Sequence, residues 1–500
     1  MNIYLKSTFI TFFVAVAIII ISFLVLVFVP TVDPLKPNAT NSLAITSVTV
    51  INPGSHSILE EQTVLIEDKR IHFVGDSDAI TPPKSVRHVD GTGKYLIPAL
   101  WDMHTHWISD FAPQLTMPLF IANGITNIRD LGGGPGLEKK RQWREKILTG
   151  DILGPRIVGQ ANLFIRHLKN KNHALELLNS VSFEEPDFVK VYNDVLPDPF
   201  FALLDEANRL NVTVLGHKPR SVSAVDASRA GYKSFEHARI FLFECYSGAP
   251  SLREEYFARY ANAEGVSKPI VTPRRLREMI DNHDATKCQR IMETMAKNGT
   301  WYVPTHITRK MDAFADNQIF RQDKRLRYIH FLQRMLWMMD ADAVVNFNPS
   351  SEARQTYMDF YLEGLKLSKV AHQIGVQILA GSDANDTYSF PGMGLHDELE
   401  ELTLAGLSPM EALKTATFGP AEYFGLDDSY GSIEVGKIAD MVLLDANPTE
   451  HISNTTKINQ VIFEGAVYDK ADLNDFLEYV ARNANSYSIG AKLIWSEFVN

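Results

Sequence analysis

The chain has 500 residues, 45% of them hydrophobic and 22% charged, and a formal net charge of −11. That is the composition of an ordinary globular protein with ample apolar sequence for a large core. The acidic balance, with no long basic run, speaks against nucleic acid as a partner. Two cysteines, Cys245 and Cys288, are too few and too far apart for a disulfide scaffold or a cysteine-rich zinc site.

The first element is an apolar helix. Residues 9–29 (FITFFVAVAIIIISFLVLVFV) carry no charge, and 21 residues of helix reach about 31 Å, enough to cross a bilayer core. Lys6 and the amino terminus precede it, so the positive-inside rule puts residues 1–8 in the cytoplasm and the rest outside. No small-residue cleavage site follows in VFVPTVDPL. Residues 1–30 therefore read as an uncleaved transmembrane anchor, with secretion after signal cleavage as the alternative.

Residues 31–42 read as a linker. Next come three β-rich runs at 44–52, 62–75 and 87–97, with β-branched residues in near-alternation and turn signals at Pro53-Gly54 and Gly91-Thr92-Gly93. Similar runs return at 431–445 and 458–469. Segments 43–97 and 425–470 are expected to join into one small β-sandwich.

Between them, in 98–424, strand and helix alternate. Short apolar runs occur at 96–106, 125–131, 155–161, 187–193, 212–218, 233–238, 300–306 and 376–384. Alternation favours a parallel sheet, and eight repeats favour a closed (β/α)8 TIM barrel in an α/β fold. Two longer stretches, 241–298 and 307–375, interrupt the rhythm. The second, rich in aromatics and methionine, is read first as an insertion with its own small core and second as a wall over a pocket. Residues 471–500 are expected to form a helical tail.

Ionisable residues fall near the C-terminal ends of five of these strands: His104 and His106 on the first, Lys190 on the fourth, His217 on the fifth, His237 on the sixth and Asp383 on the eighth. Barrel active sites lie at that face. His104 and His106 point the same way because strand side chains have period two, and paired imidazoles suit Zn²⁺ or a similar ion. Taken singly, each has an ordinary explanation as a hydrogen-bonded core residue or a helix cap. The joint pattern is what argues for a metal centre.

The stretches LIPALWDMHTHW, GITNIRDLGG, FVKVY, LGHKP, FEHA, LAGSDA, GLSPMEALKTATFGPAEYFG and GSIEVGKIADMVLLDANP resemble those of the amidohydrolase superfamily, in the branch of imidazolonepropionases and Xaa-Pro dipeptidases. The resemblance covers about residues 43–470. It implies a metal-bearing (β/α)8 barrel with a small β-sandwich from both chain ends. It also implies that His104, His106 and Asp383 hold one divalent ion and His217 and His237 a second, with zinc expected for both. Lys190, carbamylated by CO2, would bridge them. The ions would lower the pKa of a water and polarise the substrate carbonyl, and Asp383 would act as general base and then acid. Lys218 follows His217 where many relatives carry a second histidine, so a mononuclear site with unmodified Lys190 stays open.

Substrate contacts are expected from Tyr192, two residues past Lys190, and from His306 at the end of the seventh strand. Arg129 in NIRD is read first as a buried structural residue and second as a carboxylate clamp. Arg166 and His167 read as surface loop residues. The reaction expected is hydrolysis of a C–N amide bond in a cyclic amide or short peptide, with a prolidase-like dipeptidase as the first specific reading. Hydrolysis of esters, lactones or phosphotriesters at the same site is the enzyme alternative, and a non-catalytic extracytoplasmic binding or scaffold protein is the other. The partners expected are a small-molecule substrate and the membrane; a homo-oligomer is left open.

Overall fold

The structure is a computed structural model that describes residues 2–39, 42–184, 187–261 and 271–499. Part of the first long insertion (262–270) therefore lies outside the described residues, as do residues 40 and 41 of the expected linker.

Seven parallel strands follow one another in chain order: Leu100–Thr105, Ile125–Asp130, Arg156–Ile165, Phe188–Val191, Thr213–Gly216, Ser234–Glu236 and Trp301–Val303. Helices such as Leu137–Leu148, Pro197–Arg209 and Ser351–Ile374 return the chain between strands. The strands are buried on both sides, as a sheet covered by helices requires. Outward-facing residues such as Ile128, Val189 and Val214 pack against helical Phe200, Leu203 and Leu395. Inward-facing Trp101, Met103, Leu215, Trp301 and Val303 fill the barrel with Leu379 and Tyr423.

The expected eighth strand is not a regular strand. Residues 376–384 close the barrel through two isolated parallel bridges, Tyr302–Ile378 and Thr105–Ala384, and through backbone bonds from Met103 to Ala380 (3.0 Å) and from Asp383 to His104 (2.7 Å). Asp383 has φ +55°, which turns the chain out of the ladder. Asp102 replaces the missing ladder bonds by accepting from the Ser382 amide (2.9 Å) and hydroxyl.

The β-rich pieces from the two chain ends do join, but as one eight-stranded sheet. Met441–Leu444 pairs antiparallel with Tyr95–Pro98, which in turn lies parallel to Leu43–Asn52. Its own core contains Leu43, Ile45, Val64, Ile66, Met441, Leu443 and Ile462.

The segment read as a linker is docked on the body. Gln114 donates to the Val32 carbonyl, Tyr479 to that of Asp33, and the Leu153 amide to that of Leu35. The helix Asn2–Phe28 meets the body near its C-terminal end, where Ser488 and Trp495 lie against it. Its Thr11–Phe28 window has mean hydropathy 3.1 and is almost wholly exposed. The tail forms two helices, Lys470–Asn483 and Tyr487–Val499. Cys245 and Cys288 form a disulfide, a single bridge in place of the scaffold their number excluded.

Candidate metal centre

Four strand ends and the 376–384 segment converge at one mouth of the barrel. Asp383 Oδ1 lies 3.3 Å from His104 Nε2 and 3.3 Å from His106 Nε2, and its Oδ2 lies 3.5 Å from His237 Nδ1. The facing Nε2 atoms of His217 and His237 are 2.9 Å apart. Lys190 is fully buried, with Nζ 3.5 Å from His104 Nε2. All six side chains singled out in the sequence are thus brought together. Ligand atoms about 2.0–2.1 Å from a shared tetrahedral cation stand about 3.3–3.4 Å apart, which is the spacing Asp383 shows to both histidines. The ligand atoms of His104, His237 and Asp383 also fall within 4.8 Å of one another. The donor set, imidazoles with a carboxylate, fits divalent transition-metal ions.

Neighbouring groups fix which ring nitrogens face inward. His104 Nδ1–H donates to Glu236 (2.8 Å) and His106 Nδ1–H to the Gly132 carbonyl (2.6 Å), so each Nε2 keeps its lone pair for a ligand bond. Glu236 also takes a paired contact from Arg129 (2.8 and 3.0 Å). His237, with φ +74°, turns the chain off its strand and sets Nδ1 2.9 Å from Thr305 Oγ1. Two glycines make the approach possible. A Cβ on Gly216 would stand 2.8 Å from Lys190 Cδ, and one on Gly381 would stand 2.7 Å from His104 Cβ.

Burial shifts the protonation of these groups in the direction metal binding needs. It lowers His104 to about 4 and holds His217 and His237 well below the usual imidazole value, so all three are neutral at pH 7. Burial also lowers Lys190 to about 8, against the opposing pull of Glu236 and Asp383. For Asp383 burial acts the other way, but His104, His106 and Lys190 outweigh it and keep the carboxyl ionised.

The site opens into a cavity of about 380 Å³. Tyr192 lines it and stacks on His217 with ring centroids 4.0 Å apart. One expectation is corrected, and another is decided between its two readings. His306 does not reach the cavity: it is fully buried at the start of helix His306–Phe314, with Nε2 2.9 Å from Ser368 Oγ. Arg129 touches no substrate space either. It lies inside the barrel, donating to Glu236, Ser234, Tyr423 and the Met103 carbonyl, as its first reading had it.

Arg166, read as a surface loop residue, is exposed just past the third strand, and it also lies over the Tyr192 ring (5.3 Å) at the cavity wall. Arg239, Arg309 and Asp386, none of them a candidate by sequence, also line the cavity. Arg239 donates to His217 Nδ1 (3.0 Å) and Arg309 pairs with Asp312. Arg239 sits two residues past His237 and Asp386 three past Asp383, so proximity to a candidate ligand was the available signal. Arg309 had none. It arrives through the insertion, whose satellite core of Met311, Ile329, Trp337 and Tyr388 packs beside the mouth. Gln333 of that insertion donates to the Asn385 carbonyl at the rim (3.4 Å). The insertion thus has its own core and also supplies wall.

Residues 276–467 match the model of the amidohydrolase family. An imidazolonepropionase from Fusobacterium nucleatum is 23% identical over 398 residues, covering 77% of this chain and 84% of that protein. The imidazolonepropionase of Symbiobacterium thermophilum is 36% identical over 88 residues, 16% of this chain and 19% of that protein; matches of this kind span about a fifth of the relative's length. Among solved structures, a bottromycin amidohydrolase superposes with TM-score 0.69 at 19% identity (89% of this chain, 91% of that one). A Xaa-Pro dipeptidase with bound methionine gives 0.62 at 18% (86% and 100%). The resemblance read from the sequence is borne out, and the barrel is shared.

Proposed function

We propose, for a chain whose residues 276–467 match the amidohydrolase family, a metal-dependent hydrolase that cleaves a C–N amide bond in a small anionic or zwitterionic substrate. The observation that carries this reading is the convergence of His104, His106, His217, His237, Lys190 and Asp383 at one barrel mouth. His104, His106 and Asp383 would hold one divalent ion, and His217 and His237 a second. Lys190 as a carbamate would bridge them, which its lowered pKa favours because only the neutral amine reacts with CO2. Zinc suits the imidazole-rich set. Ions bound there would activate a water and polarise the scissile carbonyl. Asp383 takes the proton from the attacking water and delivers it to the leaving nitrogen. Glu236 and the Gly132 carbonyl hold the two histidines of the first strand in the tautomer that the site requires.

The cavity wall bears on the substrate. Three guanidiniums, from Arg166, Arg239 and Arg309, face it, together with the Asp386 carboxyl. A dipeptide offers a carboxylate to the first group and an ammonium to the second, and this supports the dipeptidase-like reading over a neutral cyclic amide. We further propose that the apolar N-terminal helix anchors the protein with its catalytic part outside the cytoplasm. The Cys245–Cys288 bond supports this, since disulfides persist in oxidising compartments.

The test is a hydrolysis screen of dipeptides, N-acyl amino acids, lactones and phosphotriesters, with and without added zinc, alongside metal analysis. Dipeptide cleavage with about two ions per chain is the expected result. Metal-free protein without activity would sink the reading, and preference for lactones or phosphotriesters would move it to the other bond class. Within the same screen, Arg239→Ala is expected to raise KM for dipeptides by about tenfold or more, the loss of one charge-assisted contact, and to raise it less for dipeptide amides, with metal content measured alongside because Arg239 also bonds His217.

A further inference from the structure

The tail helix Tyr487–Val499 touches the apolar N-terminal helix. Ser488 Oγ donates to the carbonyls of Leu26 (3.1 Å) and Val29 (3.3 Å). Those carbonyls belong to the last turn and exit of the N-terminal helix, where no intrahelical partner is available. Further along, Trp495 lies 6.4 Å from Phe23, ring centroid to ring centroid. The tail helix therefore runs back along the anchor, from the level of Val29 at Ser488 towards that of Phe23 at Trp495. Seven residues of helix advance about 10 Å.

Its outward surface is apolar where this descent occurs. Ile494 is 40% exposed, Trp495 39% and Phe498 80%. The other five tryptophans are 7% exposed or less. Facing the body, Ile489 and Ala491 are buried, so the helix is held on one side and bare on the other.

We propose that this tail helix is a second membrane-seated element, which dips beside the anchor into the outer leaflet and lays Ile494, Trp495 and Phe498 against acyl chains. The inference rests on the reading of the N-terminal helix as a bilayer anchor. If residues 9–29 cross the core, Val29 marks its outer edge and Trp495 lies about 5–10 Å below it, the depth at which interfacial helices bury their apolar face. Tryptophan favours that zone because its ring is amphipathic. Lys492 and Glu497 set the limit. With two charges and 13 residues, about 20 Å long, the helix cannot span the bilayer. Clamped on the anchor and bedded in the leaflet, it adds to the docked segment at residues 32–35 a second hold on the orientation of the barrel to the membrane.

Trp495 is the natural probe. The full chain and its Trp495→Phe variant are reconstituted in phosphatidylcholine/phosphatidylglycerol vesicles with brominated acyl chains, which quench indoles only within the bilayer. Retention after an alkaline carbonate wash is measured on the same samples. The expected result is that both proteins are retained and that the quenchable emission falls at least about fivefold in the variant, because the remaining tryptophans lie in the protein body. Retention of both with equal quenching overturns the proposal and leaves the anchor standing. Equal quenching together with a cross-linked dimer in detergent overturns it in favour of a second copy on this face. Release of both by carbonate overturns the anchor reading and the proposal with it.

Discussion

Glu236 accepts from His104 on one side and from Arg129 on the other, and the side chains of all three are closed to solvent. Burial raises its carboxyl, but Arg129 first, and then His104, overcome this and hold it at about 2 instead of the ordinary 4.5. Glu236→Gln leaves the Arg129 charge without its counter-ion, a loss of about 3–5 kcal/mol for a broken buried pair, read from the urea midpoint of metal-stripped protein. The sign of the pH effect follows from the lowered value. The contribution of Glu236 is complete above about pH 4.5 and is lost as pH falls towards 2, so the gap between wild type and variant closes over that window. Metal retention against a chelator at neutral pH is expected to fall by about 10–100-fold, the usual cost of losing a group that orients a ligand. A gap that is constant with pH, or unchanged retention, would remove Glu236 from this role. None of this was readable in KSFEHA, where Glu236 passes as an alternating strand residue. The histidine beside it was readable because spacing alone puts it at a strand end. His306 misled for the same reason: it also ends a strand, but the helix that begins there turns its ring towards Ser368.

At the scale of elements, the seven regular barrel strands were readable because each is a short apolar run bounded by turn signals. The eighth was readable as apolar but not as irregular, since its departure from the ladder depends on Asp102, 280 positions away. Gly381 sits where this segment crosses the first strand. An added Cβ would meet His104 Cβ at 2.7 Å, the His104 amide nitrogen at 2.9 Å and Val303 Cγ1 at 2.9 Å. Two of these belong to the strand that carries His104 and leads into His106, and the backbone atom among them cannot rotate away. Gly381→Ala is therefore expected to cost about 1–3 kcal/mol as overpacking and to part Asp383 from the His104–His106 pair. Metal content should fall with it. Gly436→Ala is a control, because nothing lies within 4 Å of its Cβ position, although its φ of +91° adds local strain. Loss of stability in both variants with full metal content in both would mean that the crossing does not set the ligand geometry.

The whole molecule joins compartment to covalent structure. Counting two cysteines could not pair them; the fold does, by laying the helix Ala285–Asn298 beside the turn that ends helix Arg239–Glu244. The bond closes a loop of 43 positions, for which chain entropy gives about 4 kcal/mol and experience with native bridges about 2–4. Neither cysteine lines the cavity, so the bond acts on stability rather than on the reaction. A mild reductant should therefore lower the urea midpoint of the wild type by the equivalent of about 2–4 kcal/mol and leave a Cys245→Ser/Cys288→Ser protein unmoved. Metal content should stay the same in both. The same comparison bears on location, because a chain that folds in a reducing cytoplasm gains nothing from this bond. Protein isolated under non-reducing conditions with two thiols open to titration, and a midpoint indifferent to reductant, would take away both the stabilisation and the covalent argument for an extracytoplasmic catalytic domain.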